Sequence, residues 1–556
     1  MRGSGSGADG PPGATGTSHT VTFLPSGTEV RVPSGTTILD AAVWAGVPIG
    51  STCGGAGTCG ECRVKATSEG TQVSAADREF LTEAEIGEGW RLACELDVHS
   101  DLACDVPPPP EHPRAQVEGT RRSIAVERPE VEGSVGEDLA GRLGIALDLG
   151  TTTVAGTLVD LTNGRVLAKG SVVNRQVSLG ADVISRAGHC RSEPNGTDIL
   201  QRYALESLHE LVGILCQVGS ASADSVVEAM VAGNAIMLHL LLGVDPYDLA
   251  VAPFKPRFES SQNVPASDLR LGASDTPSAE QAAALGVNPA ARIITFPIIS
   301  AYAGGDTVAG IHATDLARED RPCLLIDLGT NTEVAVGWGG RVVVASAPAG
   351  PAFEGAGVRC GSPAVQGAIA HLSGAGPGRR EAFHIEVIGE GAPSGICGTG
   401  LIDTLAYLRR AGLLDRSGRL SDPKGFQISH EVYLGQADIR ELQSAIGAVS
   451  AATQILLNHT NLDETDLAQV FLAGSFGAAL DPASARSVGL VPDIPLERVQ
   501  AVGNAAMDGA LAALISHRER RAAFQVPRYA EYVELSGHPG FNDAFLEGMV
   551  FPDPIP

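Results

Sequence analysis

Ile145-Ala146-Leu147-Asp148-Leu149-Gly150-Thr151-Thr152-Thr153-Val154 and Leu324-Leu325-Ile326-Asp327-Leu328-Gly329-Thr330-Asn331-Thr332-Glu333-Val334 are two copies of one pattern. Each is an apolar strand, an Asp-Leu-Gly turn, a run of hydroxyl or amide residues, and a second apolar run. The chemistry suits a nucleotide. Gly150 and Gly329 admit a phosphate close to the backbone; Thr151, Thr152, Thr153, Thr330, Asn331 and Thr332 supply hydrogen-bond donors; Asp148 and Asp327, at the strand ends, can hold hydrated Mg2+. One such loop also describes an ordinary hairpin, but two predict a duplicated α/β fold. The chain has no Gly-Lys-Ser/Thr loop and no dinucleotide fingerprint at either copy, which sets aside P-loop and Rossmann sites.

From Leu143 to about residue 515, strand runs alternate with Gly/Thr turns and helical stretches, an α/β texture. The 556 residues are enough for three or four domains. With 39 Lys and Arg against 65 Asp and Glu, the net charge of −26 argues against a nucleic-acid partner, which calls for a basic face. No apolar run reaches the length of a membrane span. Residues 1–18 are rich in Gly, Ser and Pro and lack the apolar centre of a secretory signal; they read as a disordered tail, and a cytoplasmic protein is expected. Residues 106–142, opening on Pro107 to Pro110, read as a linker, and 516–556 as a surface tail.

Five of the ten cysteines lie between Cys53 and Cys104. Clustered thiols in a long chain of this kind point to metal or redox chemistry and not to a disulfide framework. Cys53, Cys59 and Cys62 follow a C-x5-C-x2-C spacing within a Gly-rich loop, and Cys94 ends Arg91-Leu92-Ala93-Cys94. Four thiolates are what a two-iron two-sulfur cluster requires. Structural zinc is the alternative, but it favours paired C-x2-C knuckles, and only one is present. Cys104 rivals Cys94 as the fourth ligand, and the Arg-Leu-Ala-Cys setting favours Cys94. Ahead of the loop, Val21, Phe23, Val30 and Val32 alternate around Pro25-Ser26-Gly27 as a hairpin, and Thr37 to Ala45 reads as a short helix. Residues 19–105 therefore read as an α+β ferredoxin domain of β-grasp type. The scattered Cys360 and Cys397 read as structural.

The paired Asp-Leu-Gly loops resemble phosphate loops one and two of the actin, sugar-kinase and heat-shock-chaperone superfamily, in which two α/β lobes clamp ATP. Val470 to Gly477 is similar to its adenosine-side glycine turn, with Gly474, Ser475 and Gly477 facing adenosine, and Val231 to Met237 to the matching turn of the first half. The resemblance implies an actin-like ATPase over 143–556, with lobes at about 143–320 and 321–515. A ferredoxin joined to this fold resembles the reductive activators of corrinoid-dependent enzymes. Leu179 to Arg186, Ser300 to Asp306, Ala349 to Ala356, Gly395 to Gly400 and Gly503 to Ala506 look like segments of that family. Longer members carry a middle domain for which only the linker stands here.

The resemblance implies an ATP-dependent, Mg2+-requiring enzyme that returns inert Co(II) of a corrinoid methyltransferase system to Co(I). Its partners would be the corrinoid protein and a low-potential electron donor, and a homodimer is compatible with it. The linker would let the ferredoxin swing between them. Asp306, in Gly-Gly-Asp, is a candidate water-orienting carboxylate whose plainer role is a helix cap, and Glu354 is a second candidate. The rival readings are a ferredoxin-fused kinase of a small molecule and a non-catalytic electron-transfer scaffold.

Overall fold

Val21, Phe23, Val30 and Val32 occupy alternate positions of two strands, so they share one face, and in the computed structural model all four are buried. The structure describes residues 17–45, 47, 49, 55, 57, 60, 62–66, 72–107, 124–127, 141–180, 182–269, 285–374, 383–477 and 479–553. Residues 1–16 of the expected tail, most of the expected linker, and Cys53 and Cys59 lie outside them. The chain divides into two units, residues 1–111 with 175–189, and 112–174 with 190–556.

The first unit carries a five-stranded sheet of β1 (Ser18–Leu24), β2 (Thr28–Pro33), β3 (Arg63–Ala66), β4 (Trp90–Leu92) and β5 (Leu102–Asp105), in the order β2-β1-β5-β3-β4. β1 and β5 run parallel and the other neighbours antiparallel. The helix Ile38–Ala45 sets Ile38, Leu39, Ala41 and Ala42 into the core of this sheet. A helix laid across a mixed sheet is the β-grasp arrangement. Two short helices, Ala75–Phe80 and Glu83–Gly87, begin with reciprocal caps, Ser74 with Asp77 and Thr82 with Glu85. Residues 175–189 group with this unit. Within that stretch the fully buried Arg186 donates to Gly180 O at 3.0 Å and to Gln176 Oε1 at 3.1 Å.

The duplication is plain in the second unit. Its first sheet holds β6 (Leu143–Leu149), β7 (Thr153–Asp160), β8 (Val166–Val173), β9 (Val226–Gly233), β10 (Asn263–Pro265) and β11 (Arg292–Thr295), in the order β10-β11-β9-β6-β7-β8. After β12 (Cys323–Asp327), β13 (Thr332–Trp338) and β14 (Arg341–Ala347), the chain makes a small sheet of β15 (Ala368–Gly374), β16 (Phe383–Val387) and β17 (Gly395–Ile396), and a hairpin of β18 (Phe426–Gln427) and β19 (Tyr433–Leu434). The second large sheet is then completed by β20 (Gln469–Ala473), β21 (Val499–Gly503) and β22 (Ala530–Tyr532), in the order β21-β20-β12-β13-β14-β22. β9-β6-β7-β8 and β20-β12-β13-β14 are one motif used twice, parallel at the first pairing and antiparallel at the next two.

One core joins both sheets through Ala146, Val159, Met230, Leu325, Ala335 and Val344. The helices Gly305–Ala313 and Ala505–Ile515 share it, and their small residues let the backbones touch: a Cβ at Gly509 would collide with Ala309 O.

Two expectations are corrected here. Residues 516–553 are no surface tail. The helix His517–Ala523 has Ala523 buried, β22 extends the sheet beside β14, and Phe541 and Phe545 pack on the core of the second lobe. The charged composition misled because its charges are paired internally: Arg520 to Glu228, and His312 Nε2 to Glu519 Oε2 at 3.1 Å. Nor is 106–142 linker throughout. Ile124–Glu127 is pinned to the second unit, Glu127 N donating to Ile515 O at 3.1 Å and His517 N to Glu127 O at 2.7 Å, with Ile124 against the shared core.

Candidate functional site

Of the four cysteines expected to hold a cluster, the two described, Cys62 and Cys94, are brought together by backbone pairing. Ala93 N donates to Cys62 O at 2.7 Å and Leu39 N to Ala93 O at 2.9 Å, which ties both cysteine segments to the first helix. Asp77 Oδ1 accepts from Leu92 N at 2.7 Å, and Arg63 donates to Gly60 O at 3.0 Å and to Phe80 O at 3.0 Å. Cys62 Sγ and Cys94 Sγ stand 3.3 Å apart as free thiols. Cys104 is fully buried on β5, where burial pushes its thiol up to about 12, against the thiolate that metal binding needs. Gly60 has φ +70 and a Cβ there would strike the Phe80 ring; Gly57, at φ +71, would strike Glu95 Oε1. A loop this tightly wound, with two thiols in contact, fits an iron–sulfur cluster, and Cys62 and Cys94 would hold it. Cys53 and Cys59 lie outside the described residues.

The two Asp-Leu-Gly loops meet. Asn331 Nδ2 donates to Thr151 Oγ1 at 3.4 Å, and the Thr152 and Thr330 hydroxyl oxygens are 3.2 Å apart. Glu354 joins them: Thr152 donates to its Oε2 at 3.0 Å and Thr330 to its Oε1 at 2.8 Å. Asn174, which sequence reasoning missed, steadies the first loop by donating to Gly150 O at 2.9 Å. The glycine at 150 is required by the loop itself, since a Cβ would collide with Thr153 O. Thr332 is fully buried and donates to Gly329 O at 3.4 Å.

Beneath the loops lie four acids. Asp148 is the penultimate residue of β6 and Asp327 the last of β12, Asp306 stands in the first turn of Gly305–Ala313, and Glu333 faces Asp327 across β12 and β13. Burial, with Asp306 as a charged neighbour, pushes Asp148 and Asp327 up to about 7; Asn504 resists this at Asp148 by donating to Oδ2 at 2.6 Å. Burial raises Asp306 to about 6, and burial beside Asp306 and Asp327 raises Glu333 well above the carboxylate range. Glu333 Oε1 is buried without a hydrogen-bond partner. Four acids, one carrying an orphaned oxygen, fit a site that receives a cation. Among the described residues no three acids, histidines or cysteines converge at metal-ligand distances.

Asp306 is not the helix cap. Gly304 holds that place, while Asp306 Oδ1 accepts from Thr307 N at 2.7 Å. Gly474, at φ +89, packs on Leu328 O and beside Asp327 Oδ1, so this turn touches the second phosphate loop; Gly477 lies behind it over Leu472. Ser475 is in the same short helix. Phe476 stacks on Phe353 at 5.5 Å. Cys397 opens the helix Gly398–Arg410 with its thiol 3.3 Å from Thr399 Oγ1, and Cys360 reaches Glu431 O; neither joins the acids' hydrogen bonds. Asn504 and Glu333 escaped the sequence reading. The signal for Glu333 was an acid inside an apolar strand, at the position where the first loop has Val154.

Residues 21–99 match the family described as 2Fe-2S iron-sulfur cluster binding domain, 143–319 the RACo middle region, and 321–555 the C-terminal domain of RACo, the ASKHA domain. This corrects the expectation of a missing middle domain: that region is present, and it is the first α/β lobe. The chain is 31% identical to the corrinoid activation enzyme RamQ of Eubacterium limosum over 439 residues, covering 74% of this chain and 71% of that one. It is 27% identical to the [Co(II) methylated amine-specific corrinoid protein] reductase of Methanosarcina barkeri, covering 72% and 76%. A solved structure of a reductive activator for corrinoid,iron-sulfur protein superimposes with a TM-score of 0.67 at 28% identity, covering 96% of this chain and 98% of that one. With its ferredoxin and duplicated ATPase fold in the same order, the chain belongs to the family of reductive activators of corrinoid proteins.

Proposed function

We propose that this chain returns the Co(II) corrinoid of a methyltransferase-system protein to Co(I), using one electron from a low-potential donor and drive from MgATP. The observation that carries the reading is the union in one chain of the Cys62–Cys94 sulfur pair with two phosphate loops set over shared acids.

A two-iron two-sulfur cluster supplies one-electron transfer at a low potential, roughly −400 mV for ferredoxins of this kind. The chain's own residues do the rest. Cys62 and Cys94, with Cys53 and Cys59, hold the group, while the Ala93–Cys62 and Leu39–Ala93 backbone bonds fix their spacing. Arg63 and Asp77 hold the flanking segments in place. In the second unit, Thr151 to Thr153 and Thr330 to Thr332 donate to phosphate oxygens. Asp148 and Asp327 keep a hydrated Mg2+, and Asn504 orients Asp148. Asp306 accepts from a water near the outermost phosphate. Gly474, Ser475 and Gly477 face the adenosine.

Reduction of Co(II) from such a donor is uphill. The nucleotide contributes only if it binds two states of the complex unequally, and separation of the partners after transfer prevents the back-reaction. The corrinoid belongs to the partner. No helix among the described residues is long and apolar enough to cross a membrane, and we place the protein in the cytoplasm.

The test is anaerobic absorbance spectroscopy on the full chain, a Co(II) corrinoid carrier and a low-potential reductant, with and without MgATP. The reading expects Co(I) to accumulate only with MgATP. ATP consumed on a small acid or sugar, with no Co(I) from any of several carriers, would point to a kinase instead.

A further inference from the structure

The carboxylate of Glu354 lies where the two phosphate loops meet, and it takes one hydroxyl from each: Thr152 at 3.0 Å and Thr330 at 2.8 Å. The two hydroxyl oxygens are only 3.2 Å apart, so one small anion serves both. A carboxylate accepts without donating, as a terminal phosphoryl group does, and hydroxyls at this spacing suit either. They cannot serve both at once, because each hydroxyl has one proton to donate and the second anion would meet the first at hydrogen-bonding range.

The segment bearing Glu354 is bounded by two glycines in the left-handed region. Glu354 ends the short 3-10 helix Pro351–Glu354, and Gly350 at φ +68 and Gly355 at φ +89 flank it with backbone that other residues rarely adopt. Phe353, the preceding residue, stacks on Phe476 at 5.5 Å and 12°. Its carbonyl lies so near Gly398, at the start of the helix Gly398–Arg410, that a Cβ at Gly398 has no room. Movement of Glu354 therefore bears on the two contacts its neighbour Phe353 makes, with Phe476 in the turn following β20 and with Gly398, the first residue of a 13-residue helix.

We propose that Glu354 is the residue by which the site tells a nucleoside triphosphate from a diphosphate: its carboxylate holds the place of the outermost phosphate, and only a triphosphate has to displace it. This rests on the nucleotide reading above and replaces the water-orienting role expected for Glu354. The displaced segment carries Phe353 with it, so the presence of the third phosphate is passed to Phe476 and to Gly398.

The test compares calorimetric binding of MgADP and of a non-hydrolysable Mg–triphosphate analogue to the full chain and to Glu354→Gln and Glu354→Ala. Removing the competing anion should tighten the triphosphate about tenfold or more and leave the diphosphate within about twofold. Hydrogen exchange gives a second readout on the wild-type protein. The Gly355 and Ala356 amides, bonded to Ala352 O at 3.0 Å and Pro351 O at 3.3 Å, should exchange faster with the triphosphate analogue than with MgADP. Unchanged affinity ratios in both variants, with no difference in exchange, would overturn the proposal and leave the nucleotide site standing. Weaker binding of both nucleotides in Glu354→Gln would assign Glu354 to holding the ligand and overturn it too. Failure of the wild-type chain to bind either nucleotide would remove the proposal together with the nucleotide reading.

Discussion

Asn504 donates through Nδ2 to Asp148 Oδ2 at 2.6 Å, joining side chains 356 positions apart. Its Oδ1 accepts from Met507 N at 2.7 Å and so caps the helix Ala505–Ile515. One amide thus fixes the acid of the first Asp-Leu-Gly loop to the central helix pair. Asn504→Ala removes both bonds and is expected to cost about 1–3 kcal/mol of stability. Asn504→Asp keeps the cap but sets a second carboxylate against Asp148. It should hold more of the melting temperature than the alanine variant while losing at least about tenfold in MgATP affinity, where about 1.4 kcal/mol is tenfold. Calorimetry on both variants checks the pair.

The acids make stability depend on pH in an unusual direction. Asp148 and Asp327 bind their protons more tightly folded, at about 7, than an ordinary aspartate at 3.8, and Asp306 does so at about 6. The stabilisation from their neutral forms is whole below about pH 4 and is lost as pH rises through about 7. Between about pH 5.5 and about pH 8, the nucleotide-free protein should lose at least about 2 °C in melting temperature. Mg2+ with nucleotide should flatten that slope. A melting temperature that rises across the window would refute the arrangement of the acids.

Cys94 and Cys104 separate cleanly. Cys94→Ser should abolish the cluster, read as iron and sulfide content and visible absorbance. Cys104→Ser should keep the cluster and lose about 1–3 kcal/mol, the cost of a hydroxyl buried without a good partner. Loss of iron in the second variant alone would reverse the assignment.

Gly474 stands at φ +89, where a Cβ would collide with Leu328 O. Gly474→Ala forces both backbone strain and a shift of the second phosphate loop. A destabilisation of about 1–3 kcal/mol is expected, with nucleotide affinity falling further than at the other loop.

The C-terminal segment carries buried charge. Arg520→Ala leaves Glu228, in β9, without its ion-pair partner and should cost about 3–5 kcal/mol, measured by denaturant unfolding. A loss under about 1 kcal/mol would return residues 516–553 to the status of an appendage.

The sequence made the duplicated loops and the cysteine spacing readable because each repeats a local pattern: glycine where chains touch, a run of hydroxyls after each Asp-Leu-Gly, thiols at fixed spacing. What it hid has equally physical causes. Asn504 and Glu333 act through partners brought near only by folding, so the local signals, an acid in an apolar strand and an Asn after Gly503, did not show what either one does. The segment after Ile515 looks solvated because its charges find partners in another sheet. Ile124–Glu127 lies in a charged, Pro-rich stretch whose local composition overrides a short strand-like pairing. Glu354 was readable as functional from its Gly-rich loop, but its hydroxyl partners come one from each copy of the motif, and only their meeting shows what the carboxylate holds.

The most direct test loads the full chain anaerobically with one reducing equivalent, removes the reductant, and mixes it with a Co(II) corrinoid carrier and MgATP. The prediction is at most one Co(I) per chain, appearing as the bleached cluster recovers the visible absorbance of its oxidised form, and none without MgATP. Equal Co(I) formation by a Cys62→Ser/Cys94→Ser chain, or equal yield without nucleotide, would contradict it.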